Sequence, residues 1–191
     1  MTLSGMAKHA GARIEVVVGD LTKQDVDAVV NAANSTLRGG GGVDGAIHAA
    51  AGPRLLEECN RIRNTTHRDG LPVGEAVVTG AGDLPVRWVV HTVGPNRRRG
   101  QTDPALLGAA FASALRAAAG AGARSVAFPA IGAGAFGWEM SDVAAIAVAA
   151  VREVLAAGQA PDVAEVRFVL TDEKSATAFR HAVAGMPPEW A

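Results

Sequence analysis

One junction constrains this chain more than any other. The apolar run Asp27-Ala-Val-Val-Asn31 passes through Asn34 into four consecutive glycines, 39 to 42, and then into Val43-Asp44-Gly45-Ala-Ile-His48, which has the pattern of a helix start. Glycines let the backbone approach an anion with no Cβ in the way, and the free N–H groups of a helix start add donors and the positive end of a dipole. A strand, a glycine run and a helix in that order predict a phosphate-holding turn within an α/β fold. A merely flexible loop would carry the entropic cost of four adjacent glycines for no return. Asn31 and Asn34 end the strand, where their amides can cap the turn or reach a sugar hydroxyl. Asp44 and His48 are four apart and share one helix face beside the glycines. Alone, Asp44 reads as a first-turn carboxylate favoured by the helix dipole, and His48 as a satisfied core histidine. Their joint position next to the glycine run marks them as candidate chemistry.

The remainder alternates. Strands are predicted over residues 14–18, 28–31, 75–79, 88–93, 125–128 and 166–170, rich in Val and Ile with little polar alternation, as in strands covered on both faces. Helices are predicted over 43–50, 53–64, 104–119, 141–156 and 173–184, with Pro53 and Pro104 at first turns and Gly120 and Gly158 at helix ends. Helices on both faces of a mixed central sheet make a three-layer α/β/α sandwich. No repeat or linker divides the chain, so its 191 residues read as one domain with a core of about 13–184. A second glycine-rich turn, Gly132-Ala133-Gly134-Ala135-Phe136-Gly137, follows the strand ending at Phe128. Two such turns at the carboxyl ends of central strands can clasp a diphosphate from opposite sides.

Composition narrows the partner. A net charge of −1 gives no general drive toward nucleic acid or an anionic membrane, so a small ligand is favoured. Arg97-Arg-Arg99-Gly-Gln-Thr-Asp103 is the most polar segment and reads as a solvated loop. Cys59, the one cysteine, can form no intramolecular disulfide, and Glu57 and Glu58 beside it oppose a thiolate, so it reads as a small apolar residue on its helix. The residues before Arg13 lack the apolar core of a signal peptide, and no later run is long enough to span a bilayer, which predicts a cytoplasmic protein. Fifteen arginines against three lysines suggest GC-rich coding, as in a high-GC bacterium.

Taken together, Gly19-Asp20-Leu21-Thr22, Asn31-Ala-Ala-Asn34-Ser and Gly40-Gly-Gly42-Val43-Asp44-Gly-Ala-Ile-His48-Ala-Ala-Ala-Gly52-Pro53 resemble the macrodomain family of ADP-ribose binders, most closely its MacroD-type hydrolases. Gly74-Glu-Ala-Val-Val-Thr79, Val90-His91-Thr-Val-Gly94-Pro95 and Phe128-Pro129-Ala-Ile131-Gly-Ala-Gly134-Ala-Phe136-Gly137 follow in the family's order. The resemblance implies that Asp20 bonds the adenine amine with Leu21 beside it, that Asn34 orients the distal ribose, and that Phe136 packs on that ribose. It also implies that Gly41, Gly42 and Val43 press on the distal ribose and phosphate, while Gly132, Ala133, Gly134 and Ala135 offer backbone donors to the diphosphate. Three departures stand out. Gly132 and Ala133 replace the family's common Ser and Thr, removing hydroxyl contacts but not backbone donors. Trp138-Glu139 brings a carboxylate toward the distal-ribose side. Thr171 stands where an aromatic often stacks on adenine, a contact worth about 1–3 kcal/mol.

The chemistry the resemblance implies is ester hydrolysis. ADP-ribose is released from acidic side chains of modified proteins, or acetate from O-acetyl-ADP-ribose, with neither cofactor nor metal. Asp44 would orient or deprotonate the water, staying ionised near the helix N-terminus, with His48, Asn34 and Gly42 completing the catalytic set. The alternative is a non-catalytic reader of ADP-ribose, which the same fold would serve. A Rossmann dehydrogenase fits poorly, because the glycines follow the second strand rather than the first. A serine or cysteine hydrolase lacks its nucleophile elbow or an evident base for Cys59.

Overall fold

The computed structural model describes residues 5–185. Along the chain come β1 (Met6–His9), β2 (Ala12–Val18), β3 (Ala28–Ala33), α1 (Gly42–Ala51), α2 (Pro53–Asn64), β4 (Ala76–Gly80), β5 (Trp88–Val93), α3 (Pro104–Ala121), β6 (Ser125–Phe128), α4 (Met140–Ala156), β7 (Glu165–Leu170) and α5 (Glu173–Val183). The seven strands form one sheet in the order β1-β2-β7-β6-β3-β5-β4. β2, β7, β6, β3 and β5 run parallel, while β1 and β4 close the two edges antiparallel.

The apolar runs of the central strands are explained by burial on both faces. On one face, Ile14, Val30, Val90, Phe128 and Phe168 pack under α3, α4 and α5, and Phe111, Phe128, Phe168 and Phe179 form a ladder with centroid spacings of 5.7, 5.8 and 4.9 Å. On the other, Val29, Ala33, Val89 and Val93 meet Ile47 of α1 and Leu55 and Cys59 of α2. This is the three-layer α/β/α sandwich with a mixed sheet that the sequence predicts.

Three expectations need correction. The sheet begins earlier than residue 13, with β1 pairing antiparallel to β2. Its two-residue turn, Ala10 and Gly11 at φ 47 and 87°, has the paired positive φ of a tight hairpin, but Ala-Gly carries no Asn-Gly or Asp-Gly signal. α3 does not stop at Gly120. It continues to Ala121 and is capped by left-handed Gly122, whose N–H reaches the carbonyls of Ala118 and Ala119. That makes α3, at 18 residues, long and apolar enough by length and composition to cross a membrane, contrary to the sequence reading. Its apolar stripe, Leu107, Phe111, Ala114, Leu115 and Ala118, is spent instead on the core beneath α4.

Candidate functional site

β3 ends at Ala33, and Asn34 folds the chain over. Its Oδ1 accepts from the N–H and hydroxyl of Thr36, and its Nδ2 donates to the Gly39 carbonyl at 3.0 Å. The glycine run then enters α1 at Gly42, with Gly41 as an N-cap that has no side chain to give. The first-turn N–H groups, which an α-helix cannot satisfy itself, are left for a ligand. Gly42 sits at φ +58°, a left-handed conformation that favours glycine, although nothing lies within 4 Å of where a Cβ would stand. Gly45, one turn into the helix, is fixed by close approach, because a Cβ would lie 2.5 Å from the Gly40 carbonyl oxygen.

Opposite, the second loop leaves β6 through Pro129 and makes a 3-10 turn at Gly134–Phe136, again with no side-chain cap. Between the loops lies a cavity of about 510 Å³, within the range of small-molecule sites. The first loop contributes Asn34 and residues 40–44 to its wall, the second contributes residues 129–136, and Thr171, Asp172 and Ser175 line it from the β7–α5 junction. All three segments follow the carboxyl ends of parallel strands, the usual position for a ligand in an α/β sheet.

Behind the first loop a polar stripe crosses the sheet. Asn31, His91 and Thr79 lie on β3, β5 and β4, on the face covered by α1 and α2, and each is 3 % exposed or less. Asn31 Nδ2 donates to Asp44 Oδ1 at 2.8 Å and to His91 Nδ1 at 3.1 Å. On the other side of the ring, His91 Nε2 lies 2.9 Å from Thr79 Oγ1, whose own proton goes to the Gly80 carbonyl. Burial holds the His91 imidazole neutral, its pKa lowered to about 3. Burial also raises the Asp44 carboxyl above its ordinary value, against the Asn31 hydrogen bond and the nearby His48, which lower it. The helix-start argument from sequence runs the other way. Asp44 is 4 % exposed, and desolvation outweighs the dipole. Asp44 Oδ2 has no hydrogen-bond partner among the described residues, and His48 Nε2 is 3.5 Å from Oδ1 without a bonding alignment. Cys59 Sγ lies 3.8 Å from His91 Nε2. Burial, with Asp44 and Glu58 nearby, pushes its thiol up to about 12, so it is no nucleophile.

The expected site residues are thus brought together unequally. Asn34, Gly41, Gly42, Val43, Asp44, Gly132, Ala133, Gly134, Ala135 and Phe136 all line the cavity. His48 stands behind Asp44 and off the wall. Asp20 and Leu21 are not on the wall either. Asp20 is exposed and its carboxylate is taken up by the N–H and hydroxyl of Thr22, although the adjoining Gly19 N–H is held by Leu170, a lining residue. Asn31 neither caps the turn nor reaches a sugar, since it is wholly buried against Asp44 and His91. Trp138 is 6 % exposed, its Nε1 donating to the Pro95 carbonyl, and Glu139, at the start of α4, is not among the residues lining the cavity. Arg97–Arg99 form an exposed turn packed on the second loop, Arg97 over the Trp138 ring at 5.3 Å. Sequence reasoning gave His91 and Thr79 no role in the site. The available signal was a histidine inside the otherwise apolar strand Trp88–Val93, where a buried polar group needs a partner.

A Macro domain family model matches residues 30–147. The chain is 52% identical over 179 residues to a Streptomyces griseus "Macro domain-containing protein in non 5'region", a match covering 94% of this chain and 99% of that protein. It is 50% identical over 165 residues to the O-acetyl-ADP-ribose deacetylase of Escherichia coli K12, covering 86% and 91%. The solved Oceanobacillus iheyensis macrodomain with ADP superposes at a TM-score of 0.87 with 37% identity over 94% of each chain. A mutant of that macrodomain with ADPR superposes at 0.86.

Proposed function

The chain belongs to the Macro domain family, and from that premise we propose that it binds ADP-ribose in the cavity between its two glycine-rich loops and hydrolyses ester derivatives of it. The substrates are O-acetyl-ADP-ribose and ADP-ribose esterified to acidic side chains of proteins. The observation that carries this reading is Asp44, a carboxylate in the cavity wall at a helix start, with one oxygen held by Asn31 and the other without a hydrogen-bond partner among the described residues. Backbone N–H groups of the two uncapped turns hold the diphosphate from both sides, as donors that need no reorganisation. With the diphosphate fixed, the ester lies beside Asp44. Asp44 takes a proton from water as the water oxygen bonds to the ester carbon. The C–O bond breaks, and the proton returns to the departing oxygen. The carboxylate form does this work, so its raised pKa moves the acid limb of activity upward from that of an ordinary aspartate. The names of the Escherichia coli and Oceanobacillus iheyensis relatives support the ligand and the reaction class. The acidic-side-chain substrate rests on the same ester chemistry.

Calorimetry with ADP-ribose and AMP, followed by incubation with O-acetyl-ADP-ribose and a glutamate-linked ADP-ribosylated peptide, tests the reading. ADP-ribose should bind far more tightly than AMP, and free ADP-ribose should appear from both esters. Equal affinity for AMP would remove the second loop from the site. Tight binding with no release from either ester would make the protein a reader.

A further inference from the structure

The polar stripe behind the first loop is more than core. Asn31 Nδ2 can only donate, so the His91 Nδ1 it contacts must accept, and the ring proton therefore sits on Nε2. That proton points at Thr79 Oγ1, which can accept it because its own proton is engaged by the Gly80 carbonyl. A histidine is free to exchange tautomers only if its surroundings accept both, and here Thr79 accepts one. The consequence passes to Asn31. With an acceptor at His91 Nδ1, the Asn31 amide must present its NH2 group on that side, and the second hydrogen of the same nitrogen goes to Asp44 Oδ1, 2.8 Å from that nitrogen. The reversed amide would put a carbonyl against both His91 Nδ1 and the Asp44 carboxylate, and is excluded by both. Four side chains from three strands and a helix thus share one allowed set of proton positions.

We propose that His91 is a positioning residue for Asp44. Locked by Thr79 as the Nε2–H tautomer, it fixes the Asn31 amide so that a hydrogen-bond donor faces the Asp44 carboxylate, keeping that group charged in the cavity wall. The inference rests on the hydrolytic reading of Asp44 above. The opposing influence is burial, which favours the neutral acid. The other titratable groups facing this cluster are His48, one turn further along α1, and Cys59 of α2, with Glu58 beside Cys59. Cys59 stays a neutral thiol, and its sulfur at 3.8 Å is too poor an acceptor to replace Thr79. Losing the lock therefore frees the His91 tautomer and leaves Asp44 alone to hold the Asn31 amide in place, which weakens the donor that faces the carboxylate.

Thr79→Val is nearly isosteric and removes the lock together with the hydroxyl bond to the Gly80 carbonyl. His91→Leu removes the acceptor for Asn31, and His91→Asn restores it through the amide oxygen. The Asp44 carboxyl is titrated directly by carbon-13 NMR in the ligand-free protein, and the pH dependence of kcat for O-acetyl-ADP-ribose is recorded beside it. In Thr79→Val and His91→Leu both the carboxyl titration and the acid limb of kcat should rise by about one pH unit, the shift expected from one hydrogen bond to a charged group. KM should stay unchanged, and His91→Asn should return both titrations toward wild type. An unshifted Asp44 titration in folded Thr79→Val would overturn the proposal. So would a loss of kcat without movement of the acid limb, the outcome of a purely structural role. If His91→Leu does not fold, Thr79→Val and His91→Asn still give the answer. The NMR titration needs no substrate, so a wild-type protein that hydrolyses neither ester would count against the function while leaving the Asp44 linkage measurable.

Discussion

The two glycine-rich loops look alike from the cavity and differ in what stands behind them. Behind the first lie Asn31, Asp44, His91 and Thr79, all buried, all polar and joined by hydrogen bonds. Behind the second lie Leu107, Ile131 and the Trp138 ring, an apolar bed whose one bond, from Trp138 to the Pro95 carbonyl, only anchors the loop. Both loops can grip phosphate through backbone N–H groups. Of the two, only the first carries a titratable side chain in the cavity wall, Asp44. Under the proposed function, binding and chemistry are separable by loop, and substitutions in the two should have different kinetic signatures.

The largest break in the comparison should come at Gly42. Glu at this position places bulk and a negative charge where phosphate is held, so ADP-ribose binding and ester hydrolysis should be lost together. The left-handed backbone at φ +58° adds roughly 1–2 kcal/mol of strain, which lowers the melting temperature but leaves the circular dichroism spectrum intact. Normal ADP-ribose affinity in folded Gly42→Glu would mean that this glycine run is not the phosphate cradle.

A smaller effect should follow at the second loop. Gly134 is also left-handed, at φ +70°, with no atom within 4 Å of a Cβ position. Gly134→Ala should raise KM about tenfold, equivalent to about 1.4 kcal/mol, and leave kcat nearly unchanged. Glu139→Ala, changing a residue off the cavity wall, should move neither constant. A fall in kcat at Gly134→Ala would erase the distinction between the loops, and a changed substrate preference in Glu139→Ala would return that carboxylate to the site.

The sequence made the loops legible because their signals are local. Strand, glycines and helix follow one another within residues 28–51, and the helix ends at Pro53 and Pro104 carry their own punctuation. The stripe behind the first loop was not legible, because Asn31, His91 and Thr79 are distant in sequence and meet only through sheet register. The β3–β5 pairing sets Asn31 beside His91, and β4 runs antiparallel to β5 to bring Thr79 onto the same face. The same gap explains Asp44. From sequence its position in the first turn argued for an ordinary, dipole-stabilised carboxylate, whereas α1 lays it against the sheet and burial raises its pKa. Trp138 is a parallel case. The sequence reading gave its ring no place, and only the fold sets it in the core against Gly132.

The central claim is that the first loop carries the reacting carboxylate while both loops carry the ligand. The measurement that tests it most directly is single-turnover release of ADP-ribose from O-acetyl-ADP-ribose by wild type and Asp44→Asn, with ADP-ribose affinity measured on the same samples. Asparagine keeps an oxygen for the Asn31 donor and removes only the charge and the proton-accepting ability. The rate should fall roughly ten- to a thousandfold, the range for one positioned polar group, with affinity held within about threefold. Wild type should lose rate as pH falls through the raised Asp44 pKa, and Asp44→Asn should lack that limb. Undiminished turnover in Asp44→Asn, or loss of ADP-ribose binding along with the rate, would contradict the account.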